Sequence, residues 1–367
     1  MPKPIVLLTG ASGSMGHEAF LELMRRADRY QTRLLLRPSK VNKAEFTRYE
    51  SEPNVEIVWG DLTAREDVRR AVDGADFVLH PAAMISPAAD HNPKAARRIN
   101  VDGTRYIIEA IQDQPRGGDD VRFVYIGSVA QYGDRLPPYE WIRVGDPLKP
   151  SMHDYYALTK CEAETAVIES GLKHWASMRQ TYIAIPDSLS LLDPILFHQP
   201  LDQHMELITN QDAGYGLVQC CEVGDDFWGH VYNMSGGPSC RVVFEDYIEH
   251  MFAIFGIRDF RNVMERNWFS LRNFHCGYYA DADVLDRHLG HFRQSLEDHY
   301  KQVEEAMPWW AGPATAIAPN AIVKAFFRRW ADPLRWIESD NRPYVDAFFG
   351  SREAWEKIPD WDRGSVR

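Results

Sequence analysis

PIVLLTGASGSMG, Pro4–Gly16, joins a continuous apolar run to three glycines spaced three apart. The run reads as a strand buried on both faces, as in a parallel sheet. Gly10 then permits a tight turn. Gly13 lacks the Cβ that would keep a pyrophosphate off the backbone, and Gly16 lets the next helix lie close to the sheet. Ser12 and Met15 belong to the same turn and are expected at the cofactor. The helix N-terminus offers unpaired N–H groups and a positive dipole end to phosphates. The spacing is GxxGxxG. Between a first strand and a first helix it points to a dinucleotide site.

Working outward, the same grammar repeats. Strands are expected at RLLLRP (Arg33–Pro38), NVEIVWGD (Asn54–Asp61), ADFVLHPAA (Ala75–Ala83) and VRFVYIGS (Val121–Ser128). Helical spacing separates them at Gly16 to about Arg26, Ala64–Val72, Ala96–Ile111 and from DYYALTK through about Glu169. Strand and helix alternating at short spacing predict a Rossmann-type, doubly wound parallel α/β sheet. Residues 1–180 are expected to form this core, with parts of 204–255 (the HMELIT and HVYNMSG runs) returning to the sheet. Residues 181–310 read mainly as a smaller substrate-binding lobe, and 311–367 as an aromatic-rich helical C-terminal extension. Six of the eleven tryptophans lie in the last sixty residues. AIVKAFFRRW puts Ile322, Val323, Phe326, Phe327 and Trp330 on one helical face, which predicts a helix docked on the body.

At 367 residues the chain has room for one large α/β unit and a smaller lobe. With 41 Lys+Arg against 53 Asp+Glu its formal charge is −12. Such a surface repels phosphate backbones, so a nucleic-acid partner is not expected. No apolar run approaches the roughly 20 residues that span a bilayer, so stable membrane insertion is not expected. Five cysteines without metal-ligand spacing predict reduced thiols, no metal site and a cytoplasmic location. Cys161 reads as a small packing residue.

The end of the second strand carries the cofactor code. A carboxylate there would bind the ribose 2′-hydroxyl of NAD; Arg37, Ser39 and Lys40 stand in its place. Two cations and a hydroxyl favour NADP(H) over NAD(H). Asp61, after the third strand, falls where the adenine amino group would be met.

Ser128 ends the fifth strand, at the edge where such sheets hold their cofactors. Tyr156 and Lys160 lie four apart and project from one helical face, whereas Tyr155 points about 100° away. A phenol has a pKa near 10 and is a poor base at neutral pH, and a neighbouring ammonium is expected to lower that value. Ser128 can orient a substrate oxygen and stabilise a developing alkoxide. Ser128, Tyr156 and Lys160 are therefore the candidate catalytic set.

With these motifs in order, the chain resembles the extended short-chain dehydrogenase/reductases, the NAD-dependent epimerase/dehydratase family, from Val6 to about residue 255. The carriers are TGASGSMG, GDL (Gly60–Leu62), HPAA (His80–Ala83), NVDGT (Asn100–Thr104), GSVAQYG (Gly127–Gly133) and YALTK (Tyr156–Lys160). The resemblance implies the fold, a nicotinamide cofactor and the roles of the three catalytic groups. It also implies that Leu62 and the Pro81, Ala82 and Ala83 segment lie near the cofactor, and that Asn100 is structural. Helical dimers are common in the family, so a homodimer is compatible with it.

Two departures matter. Val129-Ala130 replaces the Asp-Glu pair of the family's dehydratases, which removes the acid and base for eliminating water. Arg179–Ala184 lacks the Asn and Gly-Pro of many sugar-nucleotide enzymes. Met84, Ser86, Tyr182, Phe197 and Trp268 are the candidate substrate contacts, and Arg241 and Arg272 keep a diphosphate-linked substrate open. The expected activity is NADP(H)-dependent interconversion of a carbonyl and a secondary alcohol on a mid-sized hydrophobic or aromatic molecule. The alternatives are a nucleotide-sugar epimerase with tightly bound NAD(P), and a non-catalytic NADP(H)-binding sensor or scaffold.

Overall fold

A computed structural model describes residues 2–186 and 193–361. Residues 187–192, within the expected substrate lobe, and 362–367, at the end of the extension, lie outside the described residues. Seven strands form the main sheet: β1 (Ile5–Thr9), β2 (Gln31–Leu36), β3 (Val55–Trp59), β4 (Phe77–His80), β5 (Arg122–Ser128), β7 (His174–Gln180) and β11 (His230–Met234). All neighbours pair in parallel, in the order β11-β7-β5-β4-β1-β2-β3. The chain winds outward through β3, then crosses back to β4. The strand order therefore reverses between β1 and β4, which opens a crevice beyond their C-terminal ends.

Alternation along β5 shows how both faces are covered. Val124 and Ile126 join one core with Phe20 and Leu217, whose helices are α1 (Ser14–Arg25) and α8 (Asn210–Gln219). Phe123 and Tyr125 join another with Val68, Ile107 and Ala163. Those come from α3 (Arg65–Val72), α6 (Gly103–Gln112) and α7 (Tyr155–Ile168). A strand with both faces dry must be apolar throughout, which is why these runs read as continuous rather than alternating.

HVYNMSG returns to the main sheet as β11, whereas HMELIT divides into the short strands β9 (His204–Glu206) and β10 (Ile208–Thr209) outside it. β10 pairs with β8 (Ile183–Ala184), β9 with β12 (Arg241–Val243), and β6 (Trp141–Ile142) with β13 (Tyr278–Tyr279). A second core binds this lobe together, built on Phe197, Phe252, Phe260, Trp268 and Phe269.

The C-terminal extension is helical: α12 (Ala311–Ile317), α13 (Asn320–Arg328), α14 (Asp332–Glu338), α15 (Arg342–Phe349) and α16 (Arg352–Glu356). Indole N–H groups fasten its end. Trp355 donates to the Asn267 carbonyl at 2.8 Å and Trp361 to that of Met264 at 2.7 Å. The expected apolar face of α13 is split. Phe327 docks edge-on against Phe252, while Ile322 and Phe326 are exposed, as are Trp309 and Trp310 in the turn before α12. Among the described residues no helix is long and apolar enough to cross a membrane.

Candidate active site

The glycine turn is built by contact. Gly10 has φ +66°, and a Cβ on it would lie 2.9 Å from the Ala82 backbone. A Cβ on Gly16 would meet the Gly10 carbonyl oxygen at 2.0 Å, so α1 can approach the strand end only as glycine. At Gly13 the added atom would meet nothing closer than 3.5 Å, which leaves open space before the helix. Gly13 is the N-cap of α1, no side chain caps it, and no acidic residue stands in the first turn. The N–H groups thus remain free for an anion, and the turn fits a dinucleotide pyrophosphate. Ser12 is exposed there, whereas the Met15 side chain points into the core and leaves only its backbone at the turn.

Arg37 and Lys40 are exposed beyond β2. Ser39 caps the helix α2 (Lys40–Phe46), accepting from the Asn42 N–H at 3.1 Å. Asp61 stands close by. Burial raises its carboxyl, but bonds from the Thr63 N–H and hydroxyl, with the charges of Arg37 and Arg98, outweigh this and hold it below the ordinary carboxylate range. Arg98 was not anticipated from sequence; it joins Arg37 and Asp61 at this end of the crevice. Leu62 packs tightly on Gly103 of α6.

Pro81, Ala82 and Ala83 leave β4 beside the glycine turn. His80 fixes this exit: its Nδ1 lies 2.8 Å from the Thr9 hydroxyl and its Nε2 3.1 Å from that of Thr104. Thr104 spends its single proton on the Asn100 carbonyl, so Nε2–H must donate and Nδ1 accept. Burial, helped by Lys160, lowers the imidazole pKa to about 3 and keeps it neutral. Asn100 lies in a π-turn, Arg98–Asp102, that joins α5 (Pro93–Arg97) to α6. Its amide accepts from the Met84 N–H at 2.7 Å and donates to the Met84 carbonyl and the Thr159 hydroxyl. Thr159 in turn donates to the Tyr156 carbonyl at 2.7 Å.

Ser128, Tyr156 and Lys160 come together where β5 meets α7. Lys160 is 1% exposed; its Nζ donates to the Ile126 carbonyl at 2.6 Å and lies 5.8 Å from the Tyr156 ring centre and 4.9 Å from that of Tyr125. Tyr155 faces outward and is exposed. One expectation is corrected here. Burial pushes the Tyr156 phenol up to about 12; a hydrogen bond with Ser128 draws it down and the Asp154 charge raises it further. The lysine does not bring the phenol below its ordinary value, because burial lowers the ammonium itself to about 7, against the pull of Glu164. Burial likewise raises the Cys161 thiol, to about 11.

Below this set lies a network that the sequence did not reveal. Glu164 accepts from Ser177 at 2.5 Å, from the Arg179 guanidinium at 2.7 Å and from Gln131 at 2.9 Å, and Gln131 accepts the Ser128 N–H at 2.7 Å. Arg179 also donates to the Tyr132 hydroxyl. The pair is desolvated yet fully hydrogen-bonded.

The expected substrate contacts divide. Ser86 lines a cleft next to the start of α7. Met84 is held by Asn100, and Tyr182 packs beside the second core, where burial raises its phenol to about 12. Phe197 and Trp268 are corrected: both are buried in that core, 6.1 Å apart, and neither lines the cleft. The short helix Pro194–His198 presents Ile195 and His198 to the cleft instead.

Residues 6–179 match the sequence model described as the NAD dependent epimerase/dehydratase family. That match covers just under half of the chain, and over this segment the chain resembles the family. Curated relatives include 3 beta-hydroxysteroid dehydrogenase type 7 of Mus musculus, 25% identical over 46% of this chain and 45% of that protein. D-erythronate dehydrogenase of Cupriavidus necator is 29% identical over 36% of this chain and 41% of its own length. The matched stretch thus spans under half of either relative. Among solved structures, dTDP-glucose 4,6-dehydratase from Bacillus anthracis in complex with NAD superposes with a TM-score of 0.66 at 15% identity, covering 83% of this chain and 96% of that one. UDP-glucuronic acid 4-epimerase from Bacillus cereus, also with NAD, gives 0.61 at 17% identity, covering 82% and 98%. This chain shares the fold of these two structures across most of its length.

Proposed function

We propose that this protein is an NADP(H)-dependent oxidoreductase that interconverts a carbonyl and a secondary alcohol on a mid-sized hydrophobic or aromatic molecule. The meeting of Ser128, Tyr156 and Lys160 at the C-terminal end of β5 carries the reading. A nicotinamide held in the crevice supplies or accepts the hydride. Around it, the first turn of α1 binds phosphate, and Arg37 with Lys40 meets a ribose 2′-phosphate. Ser128 orients the substrate oxygen. Tyr156, protonated at neutral pH, gives its proton to that oxygen, which suits carbonyl reduction. Lys160 sits where it can steady the phenol and the ribose.

Two further features weigh against sugar-nucleotide chemistry, the first against epimerisation and the second against dehydration. The arginines that a diphosphate would need are engaged: Arg241 pairs with buried Glu206 at 2.7 Å, and Arg272 donates to the Asp346 and Ala347 carbonyls. Val129-Ala130 leaves no acid–base pair beside Ser128. The test is Tyr156→Phe. Turnover of NADPH with a panel of aromatic ketones, steroids and nucleotide sugars is expected to fall at least about a hundredfold, with NADPH affinity retained. Undiminished turnover in this variant refutes the mechanism.

A further inference from the structure

Between the Rossmann half, the second lobe and the C-terminal helices lies a cleft of about 340 Å³. Small-molecule sites measure roughly 300–1,000 Å³, so it is a small one. The loop after β4 forms one side, with Ser86 and Asp90. Met152–Asp154 leads from it into α7. The far side is aromatic: Trp336, Tyr344 and Phe348 from α14 and α15. Ser86 Oγ is buried and, among the described residues, bonds to no protein group. His153 stacks parallel on Tyr344, with ring centres 4.5 Å apart.

Every carboxylate among the described residues lining the cleft is engaged. Asp90 accepts from the Tyr155 and Tyr156 N–H groups at 2.8 and 3.2 Å. Asp154 accepts from the Ala157 N–H at 2.8 Å and pairs with His275 at 3.0 Å. Asp332 pairs with His198 at 3.1 Å and with Arg335. Two consequences follow from this wiring. The positive end of α7 is already neutralised by two side-chain anions, so it cannot serve a phosphate. Arg335, the guanidinium at the cleft, is paired as well.

We infer that α14 and α15 form the distal wall of the substrate site, and that the cleft receives an uncharged, ring-bearing part of the substrate and rejects a nucleotide diphosphate. This rests on the assignment of proton transfer to Tyr156, whose helix begins at the cleft's edge. A flat ring slid beside Tyr344 extends the existing stack, and Ser86 Oγ supplies a polar contact that costs no existing bond.

The test separates binding from chemistry. Equilibrium dialysis of the full chain uses 2-acetylnaphthalene as the ring probe and UDP-glucose as the anionic one. Met152 is 58% exposed at the rim and only its backbone is hydrogen-bonded, so Met152→Trp crowds the cleft without disturbing the core. Tyr344→Ala removes the stacking partner. The naphthyl ketone is expected to bind, each variant to weaken it by about tenfold, and UDP-glucose to leave it undisplaced. Absence of saturable ketone binding, wild-type affinity in both variants, or displacement by UDP-glucose overturns the inference. In turnover, kcat/KM for the naphthyl ketone is expected to fall by a larger factor than for butanone; equal falls also overturn it. Tyr156→Phe is expected to bind the ketone as tightly as the parent. If that variant still turns over, the assignment of proton transfer to Tyr156 fails while the dialysis result stands.

Discussion

Replacing Lys160 with methionine is expected to make the cofactor-free protein more stable while abolishing turnover. The lysine is 1% exposed and burial lowers its pKa from 10.5 to about 7. At pH 7 an unfolded lysine is almost fully protonated, and the folded one only half so. That difference amounts to about 4 kcal/mol against the folded state. Methionine removes the term and keeps similar bulk, but it orphans the Ile126 carbonyl that Nζ now bonds at 2.6 Å, which costs about 1–3 kcal/mol. The net gain is about 2 kcal/mol. The sign against pH is distinctive. Between about pH 7 and pH 8.5 the unfolded chain holds this proton and the folded chain has released it. Unfolded protein therefore binds more protons, and the lysine's penalty shrinks by somewhat under about 2 kcal/mol over that window. Urea unfolding of both proteins at the two pH values measures it, since the other groups titrate alike and cancel in the difference. Methionine should lead at pH 7, and most of that lead should be gone at pH 8.5. A variant that is less stable at pH 7, or a gap that does not narrow, refutes the picture of a desolvated lysine held strained by burial for function.

Three other expectations can be checked with simple variants. Arg37→Asp should move the ratio of NADPH to NADH affinity toward NADH by at least about tenfold, because a carboxylate repels a 2′-phosphate and accepts from a 2′-hydroxyl; an unaltered ratio rejects the NADP(H) assignment. Glu164→Gln leaves the Arg179 guanidinium buried without its counter-charge and should cost about 3 kcal/mol in urea unfolding; a loss under about 1 kcal/mol would contradict a desolvated pair. Gly16→Ala forces a methyl to within 2.0 Å of a backbone oxygen, so isothermal titration should show loss of NADPH binding even where circular dichroism shows a folded protein.

Local chemistry made much of the sheet legible. Glycine spacing, dry strands and the four-residue step from Tyr156 to Lys160 act over short stretches of chain, and β1, β5 and α7 form where these features predict. The second lobe was harder because its contacts are distant in sequence. His275 meets Asp154 across more than a hundred residues, and His198 meets Asp332 likewise. Composition marked Phe197 and Trp268 as pocket-like, but a 3₁₀ turn rotates successive side chains by about 120°, which sends Phe197 inward and its neighbour His198 outward. Arg241 and Arg272 looked available for a diphosphate; only the fold shows them bound to Glu206 and to the end of α15. The phenol's upward shift was equally hidden, since charge neighbours can be read from spacing and desolvation cannot.

The Asn100 amide grips both backbone groups of Met84 and, through Thr159, the carbonyl of Tyr156. The segment leaving β4 and the residue proposed to handle the proton are thereby linked through one side chain. Redesign of the loop after β4 is therefore expected to disturb the seating of Tyr156 as well, unless the Asn100 contacts are kept.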